Sequence, residues 1–222
     1  MNRLALADGG ILLGRHSNED DIRRLCADRF PFVYVGRRDI ADARLWYVTA
    51  DYRSATRTVV DHLKGLGHES IAYLGVPRPD EPDEDRVAGW RDRKHTLRAS
   101  RELRPAEVTP DLLLSLVRNE NRTAVLVENA ESADAVFAAA SAGGLRVPGH
   151  LSIAVLGDLP DHGMQRPIWT GFTTPRRRLG REAVRMLVQR LDHDAGDTPR
   201  IQQVDCGFEQ GSTCGPVEER VR

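Results

Sequence analysis

Four polar side chains, Asp51, Arg86, Asn129 and Asp158, fall just beyond the carboxyl ends of predicted β-strands. Open parallel sheets bind ligands at those ends. A guanidinium donates from a rigid fork, a carboxylate accepts, and a carboxamide does both, so the four could grip a small polar molecule rather than transform it. Three of them also have a local explanation. Arg86 could anchor a neighbouring acidic loop through Asp83 or Asp85, Asn129 could cap the helix that follows it, and Asp158 could turn the chain with Pro160.

The minimal parts of several catalytic chemistries are missing. The chain has no GxxxxGK[ST] loop, no HExxH pair and no GxSxG elbow. Gly65-Leu66-Gly67 follows a predicted helix and lacks a third glycine, so it reads as a helix stop rather than a dinucleotide fingerprint. Seven histidines are scattered without i, i+4 pairing, and Cys26, Cys206 and Cys214 form no CxxC pair and no cluster at metal-ligand spacing. The expectation is a binding protein with reduced thiols, no bound metal, no cofactor and no enzymatic activity. The run Arg176-Arg177-Arg178 with Arg181 and Arg185 opens an amphipathic helix and reads as a solvated face.

The elements that must position the four residues alternate in kind. Short apolar runs at 10–13, 32–36, 46–49, 71–75, 123–128, 151–156 and 201–206 read as strands, and most are apolar enough to be buried on both faces. Between them, Ala55, Val59, Leu63 and Leu66 share one helical face that Gly67 would terminate. Ala133, Val136, Phe137 and Ala140 repeat the pattern, as do Leu179, Ala183, Leu187 and Leu191. Thr109 followed by Pro110 supplies an N-cap and a first-turn proline for a helix over 110–118. The segment 77–85, rich in proline and acid, reads as a loop, and the tail after Gly211 as irregular. The result is a β/α alternation with parallel sheets flanked by helices.

Composition fits that picture. Of 222 residues, 40% are hydrophobic, enough for one large domain or two small lobes. The 32 basic and 33 acidic side chains nearly cancel, so no global field draws the chain to DNA or to an anionic membrane. No stretch reaches the ~20 apolar residues that span a bilayer, and the start is broken too early by Asp8 for a signal peptide. A cytoplasmic location is expected.

Several segments, in order, resemble the effector-sensing half of LacI/GalR transcription repressors: His62–Ala72, Arg86-Val87-Ala88-Gly89, Gly144–Ile153, Pro167–Gly180 and Phe208–Thr213. The resemblance runs from about Gly9 to Thr213. It implies a two-lobed, type I periplasmic-binding-protein-like α/β fold, with two lobes joined by three crossovers and a ligand in the cleft. One lobe would combine residues 1–67 with 170–195, and the other 68–168 with 197–222. It also implies a homodimer, and DNA binding only through a helix-turn-helix headpiece that this chain does not contain. Carried over by position, Asp51, Arg86 and Asn129 match residues lining the effector pocket, whose chemistry suits a polyhydroxyl, carbohydrate-like effector.

The chain departs from the family pattern at three places. Asn129-Ala130 stands where Asn-Asp is usual, and Val155-Leu156-Gly157-Asp158 where Gly-Phe-Asp-Asp is usual, so Gly157 takes the place of an aspartate that commonly holds the effector. Losing a charged acceptor worth about 1.5–3 kcal/mol would weaken a neutral sugar roughly ten- to a hundredfold. The chain also opens at what resembles the family's second or third strand, so the first lobe is expected to be incomplete. Three readings follow: the sensor of a LacI-type regulator, a solute-binding protein of the same fold, or a degenerate dimerisation module with no effector.

Overall fold

The computed structural model describes residues 7–13, 18–41, 43, 45–75, 81–103, 107–159, 168–192 and 198–217. Its elements are β1 (Gly10–Leu13), α1 (Glu19–Ala27), β2 (Phe32–Val35), β3 (Tyr47–Ala50), α2 (Tyr52–Gly65), β4 (Ser70–Leu74), α3 (Glu81–Lys94), β5 (Ala99–Leu103), α4 (Pro110–Arg118), β6 (Ala124–Val127), α5 (Ala130–Ala142), β7 (Ser152–Leu156), β8 (Thr170–Thr173), α6 (Arg176–Leu191), β9 (Ile201–Val204) and β10 (Gly207–Glu209). They form two compact units. The first draws its described residues from Met1–Asp51, Asp80–Pro82 and Pro175–Asp205, and the second from Tyr52–Pro79, Asp83–Thr174 and Cys206–Arg222.

The first unit is a parallel sheet in the order β1-β2-β3-β9. Asn18 caps α1 by accepting from the Asp20 N–H, and Ile22 anchors that helix among Phe32, Tyr34, Ile40 and Leu45. Helix α6 covers strands of the same sheet through Leu179, Ala183 and Met186, while the Arg190 guanidinium lies 5.5 Å from both the Phe32 and Trp46 ring centres. Its arginine-rich first turn is exposed, in keeping with a solvated face.

The second unit is a sheet in the order β10-β8-β7-β6-β4-β5, parallel throughout except for β10. Alternate residues of β6 and β7 point to opposite faces. Val125, Val127, Ile153 and Val155 pack with Leu113, Leu116 and Val136 of α4 and α5, whereas Ala124, Leu126, Ala154 and Leu156 pack with Val59, Leu63 and Trp90 of α2 and α3. Both strands are therefore apolar along their whole length, as burial on two sides requires. From β4 the chain goes first to the edge strand β5 and then back across to β6, so the strand order reverses at β4/β6. At such a switch point the loops leave in opposite directions and a crevice opens beyond the strand ends.

Three expectations are corrected. The acidic segment 77–85 is not all loop: α3 begins at Glu81, and residues 76–80 lie outside the described part. Strands β5, β8 and β10 and helices α1 and α3 add to the elements read from the sequence. The units also divide elsewhere than expected. Helix α2 and strand β8 belong to the second unit because Val59, Val60, Leu63 and Phe172 share its core, and β9 belongs to the first because it pairs with β3.

Candidate functional site

Beyond the carboxyl ends of β4, β6 and β7, the second unit gathers a set of buried polar groups. Arg86 extends from α3 and is only 7% exposed. Its Nη1 donates to Asp83 Oδ1 one helical turn earlier at 2.7 Å, and its guanidinium lies over the Tyr52 ring, 4.3 Å from the ring centre. Glu128, the residue after β6, is buried and its carboxylate accepts from the Tyr73 hydroxyl of β4. Tyr73 in turn stacks on Trp90, one turn beyond Arg86 on α3, with ring centres 5.5 Å apart.

Two helices hold this arrangement, and their approach is unusually close. A Cβ at Gly89 would lie 2.4 Å from the Arg53 carbonyl oxygen and 2.8 Å from Thr56 Cβ, so only glycine lets α3 lie this near to α2. Ion pairs tie the outer edge of the joint: Arg53 to Asp92 and Arg93 to Asp61, each through Nε and Nη2 against a carboxylate. The Arg-Val-Ala-Gly segment thus has a physical role, in which Gly89 sets the helix spacing that brings Arg86 onto Tyr52.

Electrostatics follow from burial. The Tyr73 hydroxyl is pushed far above its ordinary range, first by desolvation and then by the Glu128 carboxylate, so Tyr73 is a permanent donor. Burial also raises the Tyr52 hydroxyl, an effect the Arg86 charge opposes. The Arg86–Asp83 pair is buried on both sides, so removing either partner takes a compensating charge from a desolvated one. Among the described residues, Arg86 Nε has no hydrogen-bond partner, and neither have the buried Trp90 Nε1 and Thr56 Oγ1.

The four residues singled out from the sequence are dispersed differently than expected. Arg86 sits inside α3 rather than just past a strand end, and it is buried rather than on a surface loop. Asn129 follows β6 and caps α5, its side-chain oxygen accepting from the Ser132 N–H at 2.8 Å. Asp158 follows β7, is half-buried, and acts on the Tyr52 hydroxyl through its charge. Asp51 follows β3 and closes the first unit, where its N–H donates to the Val204 carbonyl at 2.9 Å. The structure adds Tyr52, Tyr73, Asp83, Trp90 and Glu128 to the cluster. Glu128 carried a usable signal: a carboxylate ending an otherwise apolar strand, beside Asn129.

Gly157, where the family pattern has aspartate, lies within the cluster. A Cβ there would be 3.0 Å from the Glu128 carbonyl oxygen and 3.5 Å from Arg86 Nη2. At the amino end of the same sheet an open groove of about 580 Å³ is lined by Arg146, Val147, Pro148, Gly149, Gly215, Pro216 and Val217. Backbone and aliphatic side chains dominate that groove, and it offers no convergent polar side chains. Among the described residues no three His, Cys, Asp or Glu side chains are placed to share a metal ion, and no helix is long and apolar enough to cross a membrane.

A family model for the periplasmic binding protein-like domain matches residues 60–214. The HTH-type transcriptional regulator CelR of Thermobifida fusca is 26% identical over 211 residues, covering 87% of this chain and 60% of its own length. The lactose operon repressor of Escherichia coli (strain K12) is 31% identical over 202 residues, covering 85% of this chain and 54% of its own length. A solved regulatory protein of the LacI family from Chloroflexus aggregans superposes with a TM-score of 0.78 at 25% identity, covering 96% of this chain and 79% of that one. These relatives are regulators rather than enzymes, and the chain spans about 60% or less of the length of the two curated relatives.

Proposed function

The chain belongs to the periplasmic binding protein-like domain family, in the form that LacI-type regulators carry, and on that premise we propose that it is the effector-sensing part of a LacI/GalR-type transcription regulator. In this reading a small polar effector binds beyond the carboxyl ends of β4, β6 and β7. Arg86 is its anchor, with Asn129 and Asp158 as flanking contacts. The observation that carries the proposal is the buried guanidinium of Arg86, stacked on Tyr52 beside the β4/β6 switch point and satisfied on one nitrogen only. A buried donor set of this kind, at the place where parallel sheets take ligands, is what an effector would complete.

The regulator would act as a cytoplasmic homodimer and reach operator DNA through a separate headpiece. A net formal charge of −1 gives this chain no electrostatic hold on DNA by itself. To move a two-state equilibrium from 1:99 to 99:1, the effector must favour one state by about 5.5 kcal/mol, within reach of a few charge-assisted hydrogen bonds.

Thermal unfolding in the presence of sugars, sugar acids, sugar phosphates and nucleosides tests the proposal. A midpoint that rises with one compound class in the wild type, and fails to rise in Arg86→Lys, supports it. The reading of a dimerisation module without an effector is favoured by Gly157 and by the commitment of the Asn129 oxygen to its helix cap. A stable dimer that no compound stabilises would establish that alternative.

A further inference from the structure

We infer that the ligand of the Arg86 site carries an oxyanion, a carboxylate or a phosphate, which docks on the free edge of the Arg86 guanidinium beside Gly157. The inference rests on the effector-site reading and adds the chemical class. Three observations carry it. Asp83 engages Nη1 alone, and Nε of this residue, only 7% exposed, is buried with no hydrogen-bond partner among the described residues, which leaves the Nε/Nη2 edge open. That edge is the one shaped for two parallel bonds to an oxyanion. The chain itself demonstrates the preference, because Arg53 grips Asp92 and Arg93 grips Asp61 through the same Nε/Nη2 pair.

The third observation is what stands opposite. Nη2 faces Gly157, 3.5 Å from where a Cβ would begin, so no protein side chain from that position supplies an acceptor. A single neutral hydroxyl would satisfy one N–H of the edge and a vicinal pair both, but neither brings the charge that strengthens bonds to a guanidinium. An oxyanion satisfies both and also brings a charge to a cation already relieved of water. Among the described residues, Asp83 pairs with it, while Glu128 and Asp158 act on its neighbours Tyr73 and Tyr52. Asp83 is engaged on the far nitrogen, and Glu128 holds the Tyr73 hydroxyl. This geometry makes a guanidinium bridging two acids, one from the protein and one from the ligand.

The test uses the full chain and matched probes at constant ionic strength: D-gluconate, D-galactonate and D-glucuronate, the corresponding 6-phosphates of glucose and galactose, and the neutral parent sugars. Calorimetry should show binding by acids or by phosphate esters, which also separates the two sources of oxyanion, with the neutral parents at least tenfold weaker. Gly157→Asp should supply an internal carboxylate to the same edge and weaken the anionic probe about ten- to a hundredfold. Gly157→Asn, of equal bulk and no charge, should stay within a few-fold of wild type, and circular dichroism checks that both variants fold. Neutral sugars binding as tightly as their acids would overturn the anionic class while leaving the effector site intact. Equal losses in the Asp and Asn variants would overturn it too. Failure of every probe, charged and neutral, would remove both the class and the site.

Discussion

Replacing Gly89 by alanine should loosen the joint on which the site is mounted. On helix propensity alone the change would stabilise α3 by about 1 kcal/mol. Sterics reverse the sign. The new methyl would begin 2.4 Å from the Arg53 carbonyl oxygen, 3.2 Å from the Arg53 carbonyl carbon and 2.8 Å from Thr56 Cβ, where ordinary contacts are 3.4 Å or more. Two of those neighbours are backbone and cannot rotate away, so α3 must withdraw by about 1 Å, the difference between 3.4 and 2.4 Å. Overpacking of this kind costs about 1–3 kcal/mol, and with backbone as the obstacle the upper end applies. The net loss of about 2 kcal/mol lowers the melting midpoint by about 4–8 °C for a chain of this size. The withdrawal also lifts Arg86 from Tyr52, so ligand binding should weaken along with stability. Gly180 provides the internal control: it lies within α6 and a Cβ there meets nothing within 4 Å, so Gly180→Ala should raise the midpoint slightly. Thermal melts of both variants by circular dichroism decide the matter. A Gly89→Ala protein as stable as wild type would refute the claim that this glycine sets the helix spacing.

Arg86→Ala should cost about 3–5 kcal/mol, because it takes the guanidinium at 2.7 Å away from the buried Asp83 carboxylate. Asp83→Asn/Arg86→Gln, which removes both charges, should recover most of that loss in denaturant titrations. Stability should also fall as pH drops below about 6.5. His68 is buried between Thr123 and the carbonyl of Gly215, and desolvation lowers its pKa below the ordinary value, as it also does for His62. Below that ordinary value the unfolded chain takes up protons that the folded one refuses, while above it both forms are neutral and the dependence vanishes. Melting midpoints from pH 8 to pH 5 test this, and His68→Gln should flatten the slope.

Features written in local chemistry could be read from the chain in advance. Helix α4 runs over Pro110–Arg118 because Thr109 caps it and Pro110 opens it, and Gly67 ends α2 with a positive φ of 90°. Strands β6 and β7 announced their double burial through unbroken apolar runs. Helix α3 was illegible for a physical reason. Its sequence has no apolar stripe, because it packs through a missing side chain at Gly89, through Trp90, and through charges whose partners lie on α2. Arg86 therefore reads as part of an acidic loop from local sequence alone, and only the resemblance to a known family implies a place for it in a pocket. The assignment of α2 to the second unit was equally hidden. An amphipathic helix declares which face is buried but not which sheet buries it. Glu128 and Tyr73 find each other only because β4 and β6, 54 residues apart at Ser70 and Ala124, are hydrogen-bonded neighbours.

Because the chain passes between the units at several points, among them after Asp51, Thr174 and Asp205, neither unit is encoded by a single continuous stretch. The four-stranded sheet needs β9, and the six-stranded sheet takes its last strand from residues 207–209. On the ribosome, therefore, neither half can be completed until nearly all of the polypeptide has emerged. A stop codon or splice placed anywhere before that point leaves exposed strand edges in both halves, a situation that invites aggregation and chaperone capture. Anyone transplanting this domain into another protein would have to move the entire stretch, since half of it is not a smaller domain.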